Sequence, residues 1–211
     1  MNFTNSPTEQ TTAFTEVLVF LVAMVAIGYM GFYPAAEQEK IIIWIAAFGF
    51  IAAASLLGAC AHGIVFPDKI HDRIWRVLNL CLGLAVSLFV GGVVHDLAGT
   101  DAALRTLPFV VTAGVIFFVL TWRFPGIFFI FIIYEAAALF FALAAYGWLA
   151  FIEKSPGAIW MTAGVLTSLI AAVVQAIHSV KIQIVWSFDH NGVFHIIQAA
   201  GLLLLLRGIL A

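Results

Sequence analysis

Charged residues are scarce in this chain of 211 residues, because Asp, Glu, Lys and Arg together make up only 9% of it. A soluble globular domain carries about a quarter charged residues. Nine basic and eleven acidic side chains could not cover the surface of a water-soluble protein of this length. The net charge of −2 also lacks the basic excess of a nucleic-acid-binding protein. The low charge argues against a soluble globular protein, and the lack of a basic excess argues against a nucleic-acid-binding protein. The composition therefore predicts an integral membrane protein with no nucleic-acid partner.

The chain also has few cysteines, and it lacks the alternating hydropathy of β-strands. The two cysteines, Cys60 and Cys81, both lie inside apolar runs, so no disulfide framework is predicted. No segment alternates in hydropathy as the strands of a membrane β-barrel do. Residues 1–12 contain no Lys or Arg, so the first apolar run lacks the basic start of a signal peptide and is expected to stay as a membrane span.

Apolar residues dominate what remains, at 64% of the chain and a mean hydropathy of +1.12. A helix needs about 20 mostly apolar residues to cross a bilayer. Seven stretches are long enough, and prolines such as Pro34, Pro67, Pro125 and Pro156 lie at their ends. The predicted spans are Phe14–Tyr33, Ile41–Phe66, Ile74–Leu97, Ala103–Trp122, Gly126–Ile152, Ala158–Val180 and Gly192–Leu210. We therefore predict a single all-α domain, residues 1–211, that forms a multi-pass bundle of seven transmembrane helices.

The connections between spans do not decide the orientation of this bundle. We define face A as the side that holds the N-terminus and the connections between spans 2 and 3, 4 and 5, and 6 and 7. Face A then carries five basic residues and the opposite face carries four. The positive-inside rule requires a larger bias. Neither the cytoplasmic face nor the membrane that holds the protein follows from the sequence.

Histidines gather near face A, where ionisable residues in or beside membrane spans are functional candidates by default. Only His95, next to Asp96, belongs to the opposite face. The other five histidines are His62, His71, His178, His190 and His195. Each has a structural alternative as a hydrogen-bonding, helix-ending or turn residue.

Two polar stripes sharpen this pattern. Ser55 and His62 are seven residues apart and share one face of span 2. Span 7 is otherwise rich in leucine, but one of its faces carries Asn191, His195 and Gln198, at positions i, i+4 and i+7. Both stripes should face the interior of the bundle. We expect spans 2 and 7 to adjoin, so that His62 and His195 converge.

Two carboxylates accompany the stripes. Asp72, in the predicted loop before span 3, could orient a metal ligand or a water molecule, or could cap span 3 or pair with Arg76. Glu135 lies in span 5, about 15 Å below face A. It could line a lipid-accessible cavity, or it could be a protonated core residue.

These residues resemble a motif of the CREST-type superfamily of seven-span hydrolases, which includes alkaline ceramidases, adiponectin-type receptors and lipid-remodelling proteins of the GPI anchor. The matching positions are His62, Asp72 ten residues later, and the pair His190 and His195 that opens span 7. The resemblance implies hydrolysis of a lipid amide at a zinc ion. The implied zinc ligands are His62, His190 and His195, with His178 in reserve, and the implied catalytic residues are Asp72 and Ser55.

This sequence departs from the family pattern at two places. Gly58 stands four residues before His62, where members of the superfamily have serine, and Ser55 lies a turn further away. Span 7 should open with two histidines four residues apart, but Asn191 stands at the first position and His190 precedes it. Residues five apart on a regular helix point about 140° away from each other, a poor arrangement for a shared metal.

The sequence therefore favours a zinc-dependent membrane hydrolase that acts on a lipid amide. Its substrate would contact Glu135, Asn191 and Gln198. The alternative is a non-catalytic seven-span protein with structural histidines, either a receptor or a small subunit of a membrane complex, with a hetero- or homo-oligomeric partner. A haem-binding electron carrier would use His62 and His195 as axial ligands, but it has no second pair at the other face.

Overall fold

The predicted all-α fold with seven helices is confirmed by a computed structural model, which describes residues 2–32, 37–124 and 128–211. The helices are α1 (Pro7–Phe32), α2 (Gln38–Gly63), α3 (Asp68–Ala98), α4 (Thr100–Arg123), α5 (Phe128–Phe151), α6 (Ala158–Ala176) and α7 (His190–Ile209). Each is long and apolar enough to cross a membrane, so this is a multi-pass membrane protein. The predicted boundaries Tyr33 and Gly126, with Pro34 and Pro125, lie outside the described residues.

α1 begins at Pro7, seven residues before the predicted start of the first span at Phe14. Proline suits the first position of a helix because its missing N–H would have no intrahelical partner there. The Ser6 carbonyl oxygen accepts a hydrogen bond from the Gln10 N–H at 3.0 Å, which closes the first turn. These turns are polar, so hydropathy does not identify them as part of the span. The predicted span therefore omits the helical segment that carries Glu9.

α3 also begins early, at Asp68 instead of Ile74, so the prediction that His71 and Asp72 lie in a loop is wrong. The carbonyl oxygen of Pro67 accepts hydrogen bonds from the N–H groups of Ile70 at 2.8 Å and His71 at 3.1 Å. The first turns of α3 therefore form a polar helical extension of the apolar span.

Two short two-stranded sheets lie at face A. β1 (Asn2–Phe3) pairs antiparallel with β2 (Ile64–Val65). β3 (Lys181–Gln183) pairs antiparallel with β4 (Ser187–Asp189), so α6 ends four residues earlier than predicted and α7 starts two residues earlier. These sheets tie the N-terminal segment and the connection between α6 and α7 to the same end of the bundle.

Six of the helices form a closed ring in the order α1, α2, α3, α5, α6, α7, with α7 packing back against α1. α4 packs on the outside of this ring, mainly against α3. Bulky side chains such as Trp44, Phe48 and Tyr146 are fully buried and pack inside the ring toward the end away from face A. A cavity extends from the face-A end of the ring to beyond its middle.

Candidate active-site cavity

The cavity inside the ring has a volume of about 380 Å³ and is lined by all six ring helices. On α7 its wall runs from His190 to Leu205, about 22 Å along the helix axis. Its polar side chains lie in the part toward face A, whereas Leu139, Leu202 and Leu205 line the deeper part. This division matches an amphiphilic molecule with its polar group toward face A.

Eight of the predicted site residues line this one cavity. They are Ser55, His62, Glu135, His178, His190, Asn191, His195 and Gln198. Asp72 is the exception, since it is exposed on the first turns of α3 and is not among the cavity-lining side chains of the described residues. The cavity therefore gathers the predicted histidines but not the carboxylate expected to hold the water.

The expectation that spans 2 and 7 adjoin is wrong. α1 packs between them, and α2 and α7 form no extended contact with each other within the described residues. α1 contributes two carboxylates that were not among the predicted site residues, Glu9 and Glu16. Glu16 lies within the first predicted span, so the rule that intramembrane ionisable residues are functional candidates could have found it.

Glu16 and His195 form the central pair of the site. Nε2 of His195 lies 3.2 Å from Oε1 of Glu16, and both side chains are about nine-tenths buried. Nδ1 of His195 lies 3.2 Å from the hydroxyl oxygen of Thr15. Two side chains of α1 therefore hold the imidazole ring on both sides. The ring belongs to the second turn of α7.

Glu16 and His195 share a hydrogen bond, because Nε2 of the ring and Oε1 of the carboxyl lie 3.2 Å apart. The Thr15 hydroxyl lies within hydrogen-bond distance of two acceptors, the Thr12 carbonyl oxygen at 2.9 Å and Nδ1 of His195 at 3.2 Å. Its single proton can go to either of them, so the geometry allows the ring to carry its proton on Nδ1 or on Nε2. Each arrangement places a transferable proton between Glu16 and His195 on the cavity wall.

Gly58 makes room for Glu16 on the neighbouring helix. A β-carbon at Gly58 would overlap the Glu16 carboxylate, so no larger residue fits there without displacing it. Ser55 lies on the same side of α2 as Gly58, one turn deeper, and it is buried and lines the cavity. Gly58 thus leaves the space on α2 that a carboxylate supplied by α1 occupies.

His62 forms a second imidazole–carboxylate pair, nearer face A. Its Nδ1 lies 2.7 Å from Oε2 of Glu9, a distance typical of a charge-assisted hydrogen bond. Trp75 on α3 packs edge-on against the His62 ring and donates its indole N–H to Nε2 of His71 at 3.1 Å. Through Trp75, His71 supports the site without lining the cavity.

His178 and His190 flank the β3–β4 hairpin and meet at the cavity mouth, with ring centroids 4.8 Å apart. His190 is the first residue of α7, which Asp189 caps by accepting a hydrogen bond from the Gly192 N–H at 2.9 Å. The same carboxylate oxygen accepts from the Thr12 hydroxyl at 3.1 Å. α1 therefore positions the start of α7 as well as His195.

The donor groups do not fit the predicted zinc site as they stand. Within the described residues, no three His, Cys, Asp or Glu side chains lie close enough together to hold a metal ion. Both ring nitrogens of His195 already face Thr15 and Glu16. We therefore derive no chemical step through zinc, which stays a prediction.

His95 and Asp96 lie at the opposite end of the bundle, as predicted. Asp96 pairs with Nζ of Lys40 at 3.0 Å and accepts the hydroxyl hydrogen bond of the buried Tyr146 at 2.8 Å. Nε2 of His95 lies 3.0 Å from the Thr100 hydroxyl oxygen. These contacts join α2, α3, α4 and α5 and give His95 and Asp96 a structural role.

Comparison with known families covers nearly the whole chain. The profile of a family of unknown function, DUF6962, matches residues 11–211. The chain belongs to that family. No curated protein and no solved structure matches it. The matched DUF6962 region includes all seven helices except the first turn of α1, and every cavity-lining residue named above.

Proposed function

We propose that this protein is an integral-membrane hydrolase that cleaves an amide in an amphiphilic lipid. One observation carries the proposal. A cavity with a polar and an apolar part holds, on its wall, an imidazole–carboxylate pair that shares a proton. Positioned acid–base groups of this kind contribute about 10²–10⁴-fold to the rate of such reactions. The resemblance to seven-span lipid hydrolases supports the same class.

Glu16 and His195 would move the proton during the reaction. The Glu16 carboxylate, hydrogen-bonded to the ring of His195, takes a proton from water while the water oxygen bonds to the amide carbon. The pair then returns a proton to the amide nitrogen as the carbon–nitrogen bond breaks, which yields a fatty acid and an amine. Ser55, one turn below Gly58, donates its hydroxyl hydrogen to the carbonyl oxygen, where negative charge develops.

The two parts of the cavity would place the substrate for this step. Leu139, Leu202 and Leu205 surround the acyl chain in the deeper part, while Asn191 contacts the polar group nearer face A. The His62–Glu9 pair lies on the face-A side of Glu16 and would contact the same polar group. The amide then lies between the two parts, at the depth of His195.

The proposal is tested with purified protein in lipid nanodiscs. A long-chain N-acyl lipid and the matching ester are supplied separately, and released fatty acid is measured by mass spectrometry. We expect release from the amide and its loss in His195→Gln. Elemental analysis of the same preparation tests the zinc prediction. Turnover that requires stoichiometric zinc would replace the Glu16–His195 mechanism with a metal-dependent one.

A non-catalytic amphiphile-binding protein is the second candidate. It is favoured by the exposed position of Asp72, because the cavity then lacks the carboxylate that the resembling hydrolases use beside their metal. Such a protein would bind the N-acyl lipid without releasing fatty acid. Binding without release in the nanodisc experiment would therefore select this candidate.

A further inference from the structure

Four buried polar atoms in the cavity lack a hydrogen-bond partner among the described residues. They are Glu135 Oε2, Ser168 Oγ, Gln175 Oε1 and Gln198 Oε1. All four belong to side chains that line the same cavity. An unpaired polar atom is destabilising when it is buried in a protein, so four of them around one space indicate a place where a polar or charged ligand would be stabilised.

Three of these residues lie at similar distances along their helices. Counted from the ends of their helices at face A, Glu135 on α5, Ser168 on α6 and Gln198 on α7 are each about 10–12 Å into the bundle. α6 packs against both α5 and α7, which brings the three helices side by side. Gln175 is seven residues from Ser168 on the same stripe of α6, nearer face A.

The chemistry of the group is that of a cation site. All four unpaired atoms are oxygens, and oxygen ligands suit compact, hard cations. Glu135 contributes the only carboxylate among them, so one positive charge would neutralise the group. Ser168 is only 2% exposed, which keeps the site away from bulk water.

We infer that Glu135, Ser168 and Gln198 form a binding site for a singly charged cation, with Gln175 on its path from face A. The cation is either a free sodium ion or the ammonium group of an amphiphile. Both present a compact positive charge to oxygen ligands. The site does not depend on the proposed hydrolysis, because it would hold its cation whether or not the Glu16–His195 pair is catalytic.

The test measures the melting temperature of the purified protein in a sodium-free, non-ionic detergent. One arm adds sodium chloride against N-methylglucamine chloride at equal ionic strength. The other adds dodecylamine hydrochloride against dodecanol at equal mole fraction in the micelle. A ligand that binds only the folded state raises the melting temperature by mass action. A rise with sodium alone identifies a free ion, and a rise with dodecylamine alone identifies an ammonium group.

Variants connect the response to the site. Glu135→Gln keeps the side-chain shape but removes the charge, and we expect the stabilising response to disappear. Glu153→Gln removes the same charge from an exposed position outside the cavity and should respond as the unmodified protein does. If Glu135→Gln does not fold, Gln198→Ala should raise the apparent dissociation constant by about tenfold through loss of one ligand. No response to either cation, or an unchanged response in these site variants, would overturn the inference.

Discussion

The carboxylate of Glu16 occupies the space that a side chain at Gly58 would need. α1 and α2 pack closely along their length, and at this level the absence of a β-carbon on α2 allows an acidic residue of α1 to reach the cavity. The position of the proposed acid–base pair thus depends on a glycine one helix away.

Gly58→Ala should displace Glu16 and weaken its contact with His195. Overpacking of this kind costs typically about 1–3 kcal/mol of stability. We expect a lower melting temperature together with a loss of fatty-acid release. Gly49→Ala is the matched control on the same helix, because nothing lies within 4 Å of a β-carbon there. The control should gain up to about 1 kcal/mol from helix propensity. Equal effects of the two substitutions would contradict the assigned contact.

Glu16→Gln should remove proton transfer while preserving the shape of the side chain. We expect kcat for the N-acyl lipid to fall by about 10²–10⁴-fold, with a much smaller change in KM, because the carboxylate acts in the chemical step. Glu39→Gln removes an exposed charge in the first turn of α2, far from the cavity, and should leave both constants unchanged. A variant that raised KM alone would assign Glu16 to substrate binding.

Much of this site could be predicted from the sequence, because its residues break the apolar pattern of their spans. His62, Glu135, His195 and Gln198 stand out for that reason, and all four line the cavity. The number of helices follows equally directly from hydropathy, since seven apolar runs of sufficient length are separated by short polar connections.

The partners of these residues could not be predicted in the same way. The order of helices around the ring depends on side-chain packing between helices, which hydropathy does not encode. The expectation that spans 2 and 7 adjoin is therefore wrong, and hydropathy does not indicate that Glu9 and Glu16 of α1 contact the histidines of α2 and α7. Polar helix extensions were also missed, which placed Asp72 in a loop when it lies exposed on α3.

Asp189→Ala should destabilise the start of α7 and the cavity mouth. The Asp189 carboxylate accepts hydrogen bonds from the Gly192 N–H and the Thr12 hydroxyl, and loss of a helix cap costs about 0.5–2 kcal/mol. We expect a lower melting temperature and faster amide hydrogen exchange in the first turn of α7. Asp101→Ala, in the first turn of α4, removes a charge near a helix N-terminus that makes no cap, and should cost only a few tenths of a kcal/mol. Similar losses of stability in the two variants would contradict the capping role of Asp189.

Tyr146→Phe should lower stability without affecting hydrolysis. The buried Tyr146 hydroxyl donates to Asp96, whose other carboxylate oxygen pairs with Lys40, and hydrogen bonds to charged groups contribute about 1.5–3 kcal/mol.

Removal of this donor leaves a carboxylate oxygen unpaired at the end of the bundle opposite the cavity mouth. The melting temperature of the variant should therefore fall, while kcat and KM for the N-acyl lipid stay unchanged. Tyr29→Phe, at a side chain that is 64% exposed on α1, removes the same hydroxyl and should leave the melting temperature nearly unchanged. If Tyr146→Phe lowered kcat at an unchanged melting temperature, the structural role assigned to the Tyr146–Asp96 contact would be wrong.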